Sequence, residues 1–234
     1  MTINTKSAII LAAGFGKRMR HLTREVPKPL ISFKGKPLIQ YSIDFLESLE
    51  VKEIIINVHY KSEKIKEFLK NLKNSKIKIS DESSKILDTG GGIKKAMNLI
   101  NGTESIVVNS DILWDEKQIS SLKAMDSVFD RNSCDALLCL SSLENTKGYR
   151  GDGDFVFLDD DKICRYQKND KNSFVYCGAQ IISKDAFVNF EEDIFSINKI
   201  WNRSISNGRL MGYKNSNEIF HIGSIETLDQ FNEQ

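Results

Sequence analysis

The chain reads as an α/β protein on a Rossmann-like, mixed but mostly parallel sheet with helices on both faces, a three-layer architecture. Three observations predict it. Apolar runs of strand length alternate with amphipathic stretches through the first half, the pattern of a parallel sheet covered by helices. The first apolar run, 7–13, empties directly into a turn that carries Gly14 and Gly16. The second half changes character, with a polar hairpin followed by a long apolar strand.

Taken in order, strands are expected at 7–13, 53–58, 76–80 and 105–109, and helices at 37–49, 61–72, 91–100 and 117–129. Residues 152–166 then read as a hairpin turning at Asp159, Asp160 and Asp161, with a long strand over 174–182. Ser183, Ser196 and Ser224 each precede a helical run and are expected as N-caps. Residues 152–171 form the one strongly polar stretch, either a flap or a solvated surface. Neither repeats nor low-complexity linkers interrupt the pattern.

At 234 residues the chain can bury a full core and is expected to form one domain. Its 40% hydrophobic and 28% charged content is that of a soluble globular protein. Lys plus Arg number 33 and Asp plus Glu 32, a net charge of +1, which argues against a dedicated nucleic-acid surface. Cys134, Cys139, Cys164 and Cys177 contain no Cys-x-x-Cys pair, so reduced, buried thiols are expected rather than zinc or a disulfide framework. The N-terminus lacks a charged-then-apolar signal pattern, and no apolar run is long enough to span a bilayer. A cytoplasmic protein without membrane contact is the expectation.

The cations are locally concentrated. Gly14 and Gly16 allow a tight turn whose N–H groups can approach phosphate oxygens. Lys17, Arg18 and Lys28, the last between Pro27 and Pro29, add charge against the same group, and arginine can hold it bidentately. The third glycine of a dinucleotide fingerprint would fall at Met19, and the Gly-x-x-x-x-Gly-Lys-Ser/Thr loop is absent. A triphosphate cradle is the reading. Asp111 follows the strand 105–109, where its carboxylate can hold Mg²⁺, although an aspartate there can equally cap a turn. The run 87–92, Leu-Asp-Thr-Gly-Gly-Gly, precedes a helix and is expected to leave free N–H groups at a positive dipole end. Gly178 lies inside a strand, a place that marks close approach of a ligand or a neighbouring backbone. No Ser/His/Asp or Cys/His nucleophile arrangement is legible, and His21 and His59 have no comparable context.

The stretch Leu11-Ala12-Ala13-Gly14-Phe15-Gly16-Lys17-Arg18-Met19, with Pro27-Lys28-Pro29-Leu30 behind it, resembles the signature of sugar-1-phosphate nucleotidyltransferases. The resemblance runs from Ile9 to Leu228 and implies the nucleotide-diphospho-sugar transferase fold, with 1–115 as nucleotide-binding half and 116–234 as sugar-phosphate-binding half. It implies that Leu11, Ala12, Ala13, Gly14, Gly16, Lys17, Thr89 and Gly90 bind the nucleotide. By the same resemblance Arg18 holds the departing pyrophosphate, Lys28 contacts the α-phosphate and the incoming sugar phosphate, and Asp111 anchors Mg²⁺, with Mn²⁺ as a substitute. Asn109, Tyr176, Gly178 and Lys168 would serve the sugar phosphate, although the family's Glu-Lys-Pro around the last is not intact. Residues 195–201 resemble the family's Phe-Ser-Leu-Asn-x-Leu-Trp helix, with Trp201 expected in the core.

Ile219-Phe220-His221-Ile222-Gly223-Ser224 resembles the family's Trp-x-Asp-Val-Gly-Thr. The second metal-binding aspartate is His221 here, a softer ligand than Mg²⁺ prefers. The chain carries no hexapeptide repeats of the kind that bifunctional relatives append. The implied partners are a nucleoside triphosphate and a sugar 1-phosphate, acting on a monomer or small homo-oligomer. The compact length, the Thr-Gly-Gly-Gly run and residues 202–210 look most like members that join UTP to N-acetylmuramic acid 1-phosphate in cell-wall sugar recycling. Members joining GTP to mannose 1-phosphate come second. A glycosyltransferase using Asp152-Gly153-Asp154 as its metal motif, or a non-catalytic nucleotide-sugar binding module, are the readings from other classes.

Overall fold

The computed structural model describes residues 3–168 and 170–232. Its first half runs β1 (Ser7–Leu11), β2 (Ser32–Phe33), β3 (Lys36–Pro37), α1 (Leu38–Ser48), β4 (Glu53–Val58), α2 (Ser62–Leu72), β5 (Ile77–Asp81), α3 (Asp88–Met97), β6 (Glu104–Asn109) and β7 (Ile112–Leu113). The second half adds α4 (Glu116–Val128), β8 (Ala136–Ser142), β9 (Thr146–Lys147), β10 (Phe155–Phe157), β11 (Ile163–Arg165), β12 (Phe174–Ser183), α5 (Asn198–Ser206), β13 (Leu210–Asn215), β14 (Ile219–His221) and α6 (Ile225–Asn232).

The mostly parallel α/β sheet is present. β1 lies between β4 and β6, parallel to both, with Ile9 opposite Ile55 and Val107, and β5 continues the parallel run beyond β4. Alternate side chains of these strands leave on opposite faces. Ala8, Ile10, Ile54 and Ile56 enter one core with Ile39 and Ile43 of α1, Ile65 of α2 and Leu122 of α4. Ile9, Ile55 and Val107 enter a second core with Ile93 and Met97 of α3 and Ile200 and Trp201 of α5. Burial on both faces is why the strands read as unbroken apolar runs rather than alternating ones.

β12 reverses direction. It pairs antiparallel with β6, Ala179 opposite Val108, and with β8 on its other edge. The hairpin of β10 and β11 turns at Asp159–Asp161 as expected and meets β12 through Phe155 and Phe174. A third core joins Met19, Ile31 and Phe33 to Ile222 of the segment after β14 and to Leu228 and Phe231 of α6. The last turn and helix thereby pack under the cradle.

The expected elements differ from the observed ones in instructive places. β1 stops at Leu11, two residues early, because the Ala12 amide is taken by the Asn57 side chain. β8 and β13 were not anticipated; the two pair in parallel along their whole length. α3 starts at Asp88, so the glycine run lies inside its first turns instead of ahead of it. Ser183 caps only a short 3₁₀ turn, through the Asp185 amide. Ser196 and Ser224 accept the amides of Asn198 and Thr227 near the starts of α5 and α6. All four thiols are free, with Cys134, Cys139 and Cys177 buried. Among the described residues no helix is long and apolar enough to cross a membrane.

Candidate active site

β1, β4 and β6 run in one direction, so their C-terminal ends share a rim, the usual ligand position in open parallel sheets. A cleft of about 350 Å³ opens there. It is lined by Leu11, Ala12, Ala13, Gly14, Gly16, Lys17, Arg18 and Lys28 from the first segment, by Thr89, and by Asn109 and Asp111. Twelve residues singled out in the sequence therefore meet in one cavity, eleven of them lining it and His221 close beside Asp111.

The cradle is built by local constraints. Gly16 sits in the left-handed region at φ 63°, and a Cβ on it would lie 2.8 Å from Lys28 Cβ and 2.9 Å from Thr23 Cγ2. The bare backbone lets Lys28 cross directly behind the turn. Pro27 and Pro29 restrict the chain on either side of Lys28, and the Leu30 amide closes the turn on the Pro27 carbonyl at 2.8 Å. The amides of Gly14, Phe15 and Gly16 find no acceptor among the described residues, the arrangement that binds anions.

Lys28 Nζ donates to Asp111 Oδ2 at 2.6 Å, and both side chains are largely buried. His221 Nε2 lies 3.5 Å from the same oxygen. Burial alone would raise the Asp111 pKa, but the Lys28 charge and the His221 ring outweigh it and hold the carboxyl well below the usual range. The backbone fixes this meeting, since the Ile222 amide donates to the Asp111 carbonyl at 2.8 Å. Arg18 extends over Gly223, where a Cβ would stand 3.1 Å from Arg18 Nη1 and 3.5 Å from His221 Cε1. Lys28 and His221 thus meet at the Asp111 carboxylate, with Arg18 beside them across Gly223.

The other end of the cleft escaped sequence reading. Asn57 Oδ1 accepts the Ala12 amide at 2.7 Å, and its Nδ2 donates to Glu82 Oε1 at 2.8 Å. The Leu87 amide donates to Glu82 Oε2 at 3.2 Å. Burial raises the Glu82 pKa, and these bonds only partly oppose it. Asn57 was findable as the polar residue near the end of an otherwise isoleucine-rich strand. Nothing local marks Glu82, nor Gly223 as a neighbour of Arg18.

The glycine run is corrected in its role. Gly90 and Gly91 donate their amides to the Phe195 carbonyl at 2.9 and 3.1 Å, so these N–H groups are not free as expected. Cβ atoms there would strike the Phe195 ring and the Asp193 carbonyl, and one on Gly92 would lie 2.7 Å from Asn57 Nδ2. The run exists for close packing. Gly90 does not line the cleft, whereas Asp88 and Thr89 do, and Thr89 Oγ1 accepts the Ile197 amide at 3.0 Å.

The sugar-side candidates divide. Asn109 lines the cleft, and Gly178, at φ 78°, makes room for it: a Cβ there would lie 3.2 Å from Asn109 Nδ2. Tyr176 lies outside the lining and sets its ring edge on Trp201 at 4.9 Å. Lys168 is exposed on the turn beyond β11, also outside the lining. Trp201 is a core residue, donating Nε1–H to Gln180 Oε1 at 2.9 Å. Asp154 of the Asp-x-Asp triplet accepts the Tyr149 hydroxyl at 3.1 Å and the Tyr176 amide at 2.9 Å. Its carboxylate is engaged in structure and does not line this cleft, which removes the motif for a glycosyltransferase metal here.

Among the described residues no group of three or more His, Cys, Asp or Glu side chains could enclose a metal ion. Asp111 and His221 offer one hard and one softer ligand. That set fits an ion arriving with phosphates, which complete its shell together with water.

The chain matches the family model described as nucleotidyl transferase over residues 7–151. It is 33% identical over 223 residues to N-acetylmuramate alpha-1-phosphate uridylyltransferase of Caulobacter vibrioides, covering 93% of this chain and 92% of the relative. The protein of the same name from Neisseria meningitidis serogroup B is 30% identical, with 95% of each chain covered. The solved structure of HddC from Yersinia pseudotuberculosis in complex with GMP-PN shares the fold, with a TM-score of 0.77 at 24% identity over 98% of this chain and 99% of that one. With the cradle, the rim aspartate and these likenesses together, the chain belongs to the nucleotidyl transferase family and is a sugar-1-phosphate nucleotidyltransferase.

Proposed function

We propose that the protein joins UTP to N-acetylmuramic acid 1-phosphate, releasing pyrophosphate. The observation that carries the chemistry is the clustering of Lys28, Arg18 and His221 around Asp111 beside a turn of unclaimed amides. The choice of substrates is supported by two relatives matched over nearly their whole length.

In this reading a sugar-phosphate oxygen attacks the α-phosphorus of the triphosphate. The attacking phosphate is largely dianionic near neutrality, its second pKa being about 6, so no general base is needed. The barrier lies in bringing anions together and supporting charge on the leaving group. Lys28 stands against the α-phosphate and exchanges its contact with Asp111 for one with phosphate. Arg18, exposed at the mouth, takes the departing pyrophosphate. The amides at Gly14–Gly16 hold the phosphate chain, and the Asn57–Glu82 end, with Thr89, receives the nucleoside. Asp111 and His221 would hold a divalent ion, which would supply charge neutralisation on the phosphates. Residues 1–115 then hold the nucleotide and 116–234 the sugar phosphate.

A matrix of four nucleoside triphosphates against several sugar 1-phosphates, read by pyrophosphate release, tests this. UTP with N-acetylmuramic acid 1-phosphate is expected to give the highest kcat/KM. Preference for GTP with mannose 1-phosphate overturns the substrate assignment, and binding without pyrophosphate release overturns turnover itself.

A further inference from the structure

Arg165, at the end of β11, is half-buried and yet unpaired by charge. Its Nε donates to Asn202 Oδ1 at 2.9 Å and its Nη2 to Asn198 Oδ1 at 2.8 Å, both neutral amides of α5. No carboxylate forms an ion pair with it among the described residues. Its guanidinium lies over the Phe155 ring at 4.6 Å and the Trp201 ring at 5.5 Å. Aromatic faces and amides fix where the charge points without neutralising it. Burial lowers the Arg165 pKa, and only the through-space field of Asp154 opposes that. A half-buried guanidinium held in place by neutral amides and ring faces, with no carboxylate in contact, keeps its charge available to an anionic visitor.

Arg165 does not line the cleft, but topology puts it on the strands that continue past the rim beside Asn109. β12 runs antiparallel to β6 with Ala179 opposite Val108, so the residues before Gly178 continue past Asn109 and over the rim. Phe174 pairs there with Phe155, and Phe155 pairs with Arg165. The amides that grip Arg165 belong to α5, and Ile197, just ahead of that helix, is tied to the cleft residue Thr89. The other basic side chains of this region are placed differently. Lys168 is exposed on a turn, and Arg203 is spent on the carbonyls of Ala186 and Val188.

We propose that Arg165 is a specificity residue that receives a carboxylate borne by the sugar of the incoming sugar 1-phosphate. This rests on the reading of the acceptor as N-acetylmuramic acid 1-phosphate, whose lactyl ether carries a carboxylate that N-acetylglucosamine 1-phosphate lacks. A planar fork already oriented by two amides suits bidentate capture of such a group.

The test compares kcat and KM for those two sugar 1-phosphates, at saturating UTP, in wild type, R165Q, R165K and the surface control K171A. R165Q is expected to lose roughly 30-fold or more in kcat/KM toward the lactyl sugar, chiefly through KM, and less than about threefold toward the neutral one. R165K is expected to recover part of the loss as a point charge, and K171A to resemble wild type. Wild-type indifference to the lactyl group overturns the substrate reading and the Arg165 role together. Discrimination that survives in R165Q, or equal losses with both sugars, overturns the Arg165 role alone. A melting temperature for each variant separates loss of fold from loss of recognition.

Discussion

At one end of the cleft Asp111 lies against Lys28 and His221; at the other, Glu82 lies against Asn57 and the Leu87 amide. Both are carboxyls withdrawn from water, yet their acidities move apart. The Lys28 charge and the His221 ring hold Asp111 ionised, whereas burial outweighs the hydrogen bonds to Glu82 and leaves its pKa raised. The contrast teaches that one cavity can keep a permanent anion as a ligand and a second carboxyl as a hydrogen-bonding fixture. The direction of each shift follows from how strongly the neighbours favour the charged form against burial.

The contrast is broken most severely by removing the cations. Arg18→Ala and Lys28→Ala are each expected to lower kcat by about 100- to 1,000-fold, because both charges act on the transition state. Circular dichroism should remain that of the wild type, and near wild-type turnover in both variants would sink the phosphate-end assignment.

A smaller effect sharpens the role of His221. If its imidazole supplements Asp111, His221→Ala raises the Mg²⁺ concentration for half-maximal activity by about tenfold, and Mn²⁺ serves the wild type well. His221→Asp should stay active and shift preference toward Mg²⁺. Superimposable Mg²⁺ and Mn²⁺ titrations for wild type and His221→Ala would mean that the ring only packs.

The smallest effect separates the two carboxyls by pH. Asp111 is depressed below the ordinary aspartate value of 3.8, so its contribution to stability is present above that pH and fades as pH falls. Glu82 is raised above the ordinary glutamate value of 4.5, so its contribution is present below that pH and is lost as pH rises through the folded value. Denaturant unfolding across pH should show the deficit of Asp111→Asn shrinking toward acid. Glu82→Gln should gain relative to wild type as pH rises above 4.5, and parallel curves would remove the asymmetry.

Much of this was legible in the chain. The run Leu11 to Arg18 names a strand, a turn and two cations in consecutive positions, so local sequence suffices to place them on the rim. Asp111 follows β6 by the same logic. The second half was harder to read. β13 carries Gly212, and Lys214 is exposed within it, so its pattern is weak; only pairing with β8 makes it a strand. The glycine run misled for a related reason. Glycines before a helix and glycines packed beneath a neighbouring segment look identical until the segment Asp193 to Ile197 is laid upon them.

By itself the sequence determined the alternation of the first half, the cradle and its cations, and the substitution of histidine at 221. Those depend on neighbours in the chain, where periodicity, turn chemistry and residue type act directly. The tertiary structure decided which charges meet. Lys28 and Asp111 are 83 residues apart in the chain, Asn57 and Glu82 are 25 apart, and Arg165 reaches Asn198 across 33. Ion pairing, burial and the acidities that follow from them depend on distances through space, which exist only once the chain has closed on itself.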